Sequence, residues 1–289
     1  MSKHILFFGF GYCAQYVAPL LATRGWQMSA TCRDKDKANR LRDNGITPLM
    51  LDGAPLSPAS LDGVSHIVLS AAPDATGDPA LPLLQPALQE TAGHVKWLGY
   101  LSTTGVYGDH AGLWIDEDTP RGALGERGQR RVEAEAAWEA LAETLHLPIH
   151  YFRLAGIYGP GRNQLAALKA GTARRIDKTG QVFSRIHVDD IATILLASMA
   201  NPQARRAYSV CDDEPAPPQD VVAFAATLMG LDPPPLIAFE DADLSPMAKS
   251  FYSENKRIKN TRIKQELGVT LKYPSYRDGL RALFESQDF

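Results

Sequence analysis

Apolar residues along this chain gather in short runs separated by longer amphipathic stretches, a rhythm that predicts buried strands alternating with helices. His4 to Phe8 reads as the first strand, Gln27 to Thr31 as the second, Thr47 to Leu51 as the third and His66 to Ser70 as the fourth. Val95 to Ser102 and Ile149 to Leu154 continue the series. Tyr12 to Arg24 carries a helical pattern that Gly25 can end in a left-handed residue, with Pro19 predicted to kink it. A proline-interrupted helix is expected between Ala80 and Thr91. Val132 to Leu145 is the cleanest helix, with Val132, Ala136, Trp138, Leu141 and Leu145 on one stripe. Ile191 to Met199 should be helical too, capped by Asp189 or Asp190. Such alternation implies an α/β fold with a parallel sheet.

The last third changes character. CDDEPAPPQ and LDPPPL read as proline-rich loops around a helix from Asp220 to Met229, and the final stretch is basic and then amphipathic. The acidic clusters Asp212-Asp213-Glu214 and Glu240-Asp241 sit among these prolines and read as solvated loops.

Composition narrows the function classes. The chain has 289 residues, 45% hydrophobic and 22% charged, enough for a sizeable core. A formal net charge of -3 offers no basic surplus for nucleic acid. The best apolar run, Ile191 to Ala200, falls short of the roughly 18 residues a membrane span needs, so no membrane role is expected. Cys13, Cys32 and Cys211 are too scattered for a disulfide framework and suit a reducing compartment. Pro148 lies between His146 and His150, so their spacing proposes no metal site. With Met-Ser-Lys-His leading straight into a strand, a cytoplasmic monomer or homodimer is expected.

The strongest local motif is Gly9-Phe10-Gly11-Tyr12-Cys13-Ala14, a GxGxxA run between the first strand and the first helix. Gly9 permits the tight turn, and Gly11 removes a side chain where a pyrophosphate must approach helix N-terminal amides. Ala14 lets helix and strand pack closely. Tyr12 and Cys13 belong to the same cradle. The pattern predicts a Rossmann-type, doubly wound parallel sheet binding a dinucleotide. At the end of the second strand, Cys32 stands where an acid would hold the ribose 2′-hydroxyl of NAD, and Arg33 follows it. A guanidinium pairs well with a 2′-phosphate, so NADP is favoured over NAD. Two other readings stay open: Arg33 and Lys35 can face water, and Asp34 can supply the missing carboxylate.

From the fifth strand onward, ordered motifs accumulate. Leu101 to Gly108 (LSTTGVYG), Asp116 to Pro120, Arg153 to Arg162 (RLAGIYGPGR), Ile186 to Asp190 (IHVDD) and Glu266-Leu267-Gly268 follow one another at familiar spacing. Together they resemble the extended short-chain dehydrogenase/reductase family, the NAD(P)-dependent epimerase/dehydratase group, across nearly the whole chain. The resemblance implies an NAD(P)-binding Rossmann domain over residues 1–157 plus 182–212, and a smaller C-terminal α/β substrate or partner lobe over 158–181 plus 213–289. It also implies that Asp52 meets the adenine edge and that Ala71 and Ala72 line the cofactor's path.

Family chemistry rests on a Ser or Thr plus Tyr-x-x-x-Lys, in which the phenol moves a proton and the lysine lowers its pKa and holds ribose. Thr103 takes the hydroxyl position. Arg127 and Arg131 stand where the tyrosine and lysine belong, with Gly128 and Glu135 in register between and beyond them. Arg131 can still hold ribose hydroxyls, whereas Arg127 stays charged and cannot shuttle a proton. Tyr107 and Tyr158 are the phenols that can substitute, though the family uses those positions architecturally. His187 reads as a structural histidine, and Arg127, Arg130 and Arg131 also fit a solvated basic helix face. The combination resembles the atypical extended subgroup, YeeZ-like proteins included. It implies either an oxidoreductase or epimerase on an unknown small hydroxyl or carbonyl substrate, or a non-catalytic NADP(H)-binding sensor or scaffold.

Overall fold

The computed structural model describes residues 3–289 and divides into two compact units. Unit 1 comprises Met1–Val106, Glu126–Arg153 and Ala192–Tyr208; unit 2 comprises Tyr107–Gly125, Leu154–Ile191 and Ser209–Phe289.

Unit 1 is built on strands β1 (His4–Phe8), β2 (Gln27–Cys32), β3 (Thr47–Met50), β4 (His66–Leu69), β5 (Trp97–Thr103), β6 (Ile149–Leu154) and β7 (Arg205–Val210). They form one seven-stranded sheet in the order β7-β6-β5-β4-β1-β2-β3. β1 pairs in parallel with β2 and β4, β2 with β3, and β4 with β5. This is the Rossmann-like arrangement expected from the sequence, with the strand order reversing beside β1, where ligands of open α/β sheets collect. The helices are α1 (Tyr12–Ala22), α2 (Lys35–Asp43), α3 (Leu81–Thr91), α4 (Glu126–Leu145) and α5 (Val188–Ala200).

Burial explains the arrangement. Leu6, Phe8, Ile67, Leu69, Leu98 and Tyr100 project from one sheet face into a cluster with Leu84 and Leu88 of α3 and Trp138 and Leu141 of α4. Ile5 and Phe7 alternate to the opposite face and are fully buried, so the central strands are apolar on both sides, as a covered parallel sheet requires. Pro19 does not end α1; it falls near the last turn, and the helix runs on to Ala22.

Several elements depart from the sequence expectations. α4 begins six residues before Val132, so Arg127, Arg130 and Arg131 all lie in its first turns. α2 and β7 were not anticipated. In α2 only Ala38 and Leu41 are buried, too few apolar positions to show a period. β7 opens on two arginines and is buried only over its last three residues.

Among the described residues, unit 2 contains three two-stranded parallel ladders and five α-helices, Gln164–Lys169, Pro218–Leu228, Pro246–Tyr252, Thr261–Leu267 and Tyr276–Ser286. Its largest cluster joins Tyr158, Leu165, Val221, Ala225, Tyr276, Leu280 and Leu283. The acidic segment at 212–214 corrects the solvated-loop reading: Asp212 is only 1% exposed, and its N–H donates to the Arg185 carbonyl. Asp190 likewise does not simply cap α5. Its carboxylate accepts the N–H groups of Lys272 and Tyr273, tying two distant segments of unit 2 together.

Candidate functional site

The turn between β1 and α1 is held from three sides. Thr31 Oγ1 of β2 accepts the Gly9 N–H at 2.8 Å. Ser70 Oγ, just beyond β4, donates to the Gly9 carbonyl at 2.8 Å. Lys37 Nζ of α2 donates to the Phe10 carbonyl at 2.6 Å and lies 5.7 Å from the centre of the Phe10 ring. Gly9 adopts φ +87, a left-handed conformation, and a Cβ there would come within 2.9 Å of Ser70 Oγ. Gly11 is glycine for a different reason. A Cβ on it would meet no heavy atom within 4 Å, so the space above it is open rather than filled by protein.

Gly11 is also the N-cap of α1, where it offers no side-chain cap, and the first turn carries no acidic residue. Cys13 and Ala14 are buried against the sheet and Tyr12 is half-buried, its ring 5.2 Å from Tyr16. A helix N-terminus of eleven residues, uncapped and without nearby carboxylates, is electrostatically suited to anionic oxygens. The residues present therefore fit a pyrophosphate.

The end of β2 resolves how its side chains are used. Cys32 is buried, with its thiol against the Leu49 carbonyl and 3.3 Å from Met50 Sδ; desolvation, with Asp34 adding to it, raises its pKa. Asp34 caps α2, its carboxylate accepting the Lys37 N–H at 2.7 Å. Arg33 is exposed. Asp52 is exposed and accepts the Ala54 N–H, Ala71 is half-buried and Ala72 exposed. Asp74, on the same post-β4 loop, has a lowered pKa because Thr76 donates to it through both hydroxyl and N–H; the positive charges of Arg130 and Arg33 add to the effect. That loop lies in the field of cations from two elements.

Around the end of β5, Thr103 Oγ1 accepts the Gly105 N–H at 3.1 Å, which leaves the hydroxyl hydrogen for another partner. Arg131 donates to the Leu101 carbonyl at 2.9 Å and sits 5.8 Å from the centre of the Tyr100 ring. Tyr100 in turn donates to Asp78 at 3.1 Å, and the other Asp78 oxygen accepts the N–H groups of Ala80 and Leu81 at the start of α3. Burial drives the Tyr100 phenol well above its usual pKa. Arg127 is exposed in the first turn of α4. Arg130 pairs with Glu126.

Deeper in α4, Glu135 is fully buried. It accepts from Ser102 Oγ at 2.6 Å and pairs with Arg153 at 2.9 Å, binding α4 to β5 and β6. In unit 2, the Tyr107 phenol is buried 3.0 Å from Ser209 Oγ, and Tyr158 donates to the Ser275 carbonyl. Burial raises the Tyr158 pKa, with Asp212 and Asp190 contributing. His187 is packed between Tyr158 and Tyr273, and its Nδ1 accepts the Asp189 N–H.

Sequence reasoning did not find Lys37, Thr31 or Ser70. Hydroxyls at the ends of β2 and β4, flanking the GxGxxA turn, were the available signal for two of them. No helix long and apolar enough to cross a membrane, and no cluster of three metal-ligating side chains, occurs among the described residues.

No family model matches the chain. A solved structure of a conserved protein of unknown function from Silicibacter pomeroyi DSS is 52% identical, with a TM-score of 0.91, covering 99% of this chain and all of that one. YeeZ from Escherichia coli (strain K12) is 27% identical over 284 residues, spanning 94% of this chain and 97% of YeeZ. dTDP-glucose 4,6-dehydratase from Bacillus anthracis, solved in complex with NAD, shares the fold at 18% identity with a TM-score of 0.77, over 99% of this chain and 96% of its own. By its sheet order and these full-length similarities, the chain is a relative of YeeZ and of the conserved Silicibacter pomeroyi protein, and it has the Rossmann-like fold of the NAD-binding epimerase/dehydratase structures.

Proposed function

We propose that unit 1 binds a nicotinamide dinucleotide, NADP(H) in preference to NAD(H), and that the protein is an oxidoreductase or epimerase acting on a small hydroxyl or carbonyl substrate without a tyrosine proton donor. The observation that carries this reading is the glycine turn, clamped from β2, β4 and α2 yet open above Gly11. Gly9, Gly11 and the α1 amides from Tyr12 to Ala14 would hold the pyrophosphate. Arg33 and Lys37 would take the 2′-phosphate, with Asp52 toward adenine and Ala71 and Ala72 along the path. Asp34 is committed to capping α2, which favours the phosphate over a bare ribose hydroxyl. When bound, the dinucleotide supplies or accepts a hydride.

The chain's own residues fill a reduced set of roles. Thr103 donates its remaining hydroxyl hydrogen to a substrate oxygen. Arg131, fixed by the Leu101 carbonyl, keeps further N–H groups for ribose hydroxyls or for negative charge developing on that oxygen. A guanidinium stays protonated, so neither Arg131 nor Arg127 relays a proton, and water must deliver it. The test is calorimetric titration of NADPH and NADH, followed by nicotinamide absorbance with a panel of carbonyl compounds. NADPH should bind at least about tenfold tighter, and Thr103→Val should cut turnover while leaving cofactor affinity unchanged. Equal affinities would remove the NADP preference.

A second reading, a non-catalytic NADP(H) sensor or scaffold, is favoured by the arginines at 127 and 131 together with the burial of the Tyr107 and Tyr158 phenols. Tight NADPH binding without transfer of its deuterated 4-position hydride to any carbonyl would select it.

A further inference from the structure

The proposed function gives Arg131 a task at the dinucleotide but leaves two buried polar residues behind it unexplained. Tyr100 of β5 is fully buried, and Asp78, just before α3, is 9% exposed. Tyr100 belongs to the apolar cluster between the sheet, α3 and α4, with the Tyr151 ring edge-on to it at 6.1 Å. A phenol and a carboxylate in such a place cost stability unless their polar atoms are partnered.

The direction of each hydrogen bond shows how they are partnered. The single phenol hydrogen goes to Asp78 Oδ2 at 3.1 Å, so the phenol oxygen can only accept from its other neighbour. That neighbour is Arg131 Nη1, 3.4 Å away. The same Nη1 donates to the Leu101 carbonyl at 2.9 Å, so two consecutive residues of one strand hold one nitrogen. The other Asp78 oxygen accepts the N–H groups of Ala80 at 2.9 Å and Leu81 at 3.1 Å, which pins the carboxylate to the start of α3. Arg131 is half-buried and forms no ion pair among the described residues, and its Nε and Nη2 have no partner there.

We propose that Asp78 and Tyr100 are positioning residues that aim the free edge of Arg131 at the nicotinamide ribose. The inference deepens the proposed function and rests on it. Asp78 fixes the phenol hydrogen, and the phenol then presents only lone pairs to Nη1. With Nη1 held on two acceptors, the planar guanidinium is no longer free to turn, and its Nε–Nη2 edge is left for ribose hydroxyls. The chain of bonds also connects the cation to a carboxylate that α3 keeps out of its direct reach. No proton moves along it, because the guanidinium stays charged.

The experiment compares the full chain with Tyr100→Phe, Asp78→Asn and Arg131→Ala. Phenylalanine keeps the ring and removes the acceptor. Asparagine keeps an oxygen for the Ala80 and Leu81 N–H groups but turns a donor toward the phenol, which deprives the phenol hydrogen of its acceptor. In nitrogen NMR without ligand, the guanidinium signals lost in Arg131→Ala should show slow rotation in the wild type and fast averaging in the other two variants. Calorimetry then sets NADPH against adenosine 2′,5′-bisphosphate, which keeps the adenine end and lacks the nicotinamide ribose. Tyr100→Phe and Asp78→Asn should each weaken NADPH binding about fivefold and leave the bisphosphate within about twofold. In an Arg131→Ala background, Tyr100→Phe should weaken NADPH binding no further. Either variant carries the test should the other not fold. Unchanged guanidinium rotation, equal losses for the two ligands, or an undiminished Tyr100→Phe effect without Arg131 overturns the inference and leaves dinucleotide binding standing. A wild-type chain that binds neither ligand refutes the dinucleotide reading itself, and this role falls with it.

Discussion

Two regions of unit 1 that share one sheet contrast in what their residues can do. The β1–α1 turn combines a left-handed Gly9, an open Gly11 and an uncapped helix end, a combination that fits a pyrophosphate. At the start of α4, Arg127 and Arg131 stand where the resemblance to the extended short-chain dehydrogenases leads one to expect a tyrosine and a lysine. The scaffold beneath that second region is nevertheless intact, because Glu135 still joins Ser102 and Arg153 in a buried network. The helix that carries these arginines is seated on the sheet through the buried links of Glu135 to Ser102 and Arg153. On the proposed reading, the first region serves binding and the second has lost the tyrosine that the chemistry would use.

The largest expected effect probes that seating. Glu135→Ala would strand the buried Arg153 guanidinium and the Ser102 hydroxyl, and should destabilise the protein by about 3–5 kcal/mol in urea unfolding. A loss under about 1 kcal/mol would mean α4 is held by apolar packing alone, and the contrast between scaffold and site would weaken. Next in size, the double variant Arg33→Ala with Lys37→Ala should lower NADPH affinity about tenfold or more, ~1.4 kcal/mol, with little change for NADH. An equal loss for both dinucleotides would assign Lys37 to clamping the turn through the Phe10 carbonyl and nothing else.

The most gradual effect is a pH dependence common to both units. Burial holds His66 and His187 neutral and pushes each pKa down to about 4; Lys96 and Lys272 respectively act in the same direction. In the unfolded chain these rings titrate near 6.5. Their contribution is thus complete above about pH 6.5 and is lost as pH falls toward 4, where the unfolded state binds more protons. Urea midpoints measured from pH 7.5 to 4.5 should fall, and His66→Asn should flatten part of the slope. A profile flat to pH 4.5 would show that both rings are reached by water.

Much of the fold was legible because its signals are local. β1 and β6 occur where their apolar runs place them, and the GxGxxA turn falls at the first strand–helix junction. What escaped has physical reasons. α2 presents only Ala38 and Leu41 inward, so it has almost no amphipathic period, and with it Lys37 was lost as a site residue. The first turns of α4 are charged and half solvated, so the apolar stripe dates the helix from Val132 although it begins at Glu126. Asp212 looked like loop solvent because composition cannot reveal that a chain return will bury an acid; its burial depends on Arg185, far away in sequence. Proline content marks loops well but says nothing about whether a loop is covered.

The central claim, that the space above Gly11 is reserved for the linked phosphates, is tested most directly by one substitution. A Cβ at residue 11 meets no heavy atom within 4 Å, so Gly11→Val should fold with a wild-type circular dichroism spectrum and a melting temperature within a few degrees. In calorimetry the wild-type chain should bind NADPH, and Gly11→Val should weaken that binding about a hundredfold or more, ~2.7 kcal/mol. Undiminished NADPH binding by the folded valine variant, or no binding of NADPH or NADH to the wild-type chain at millimolar concentrations, would contradict it.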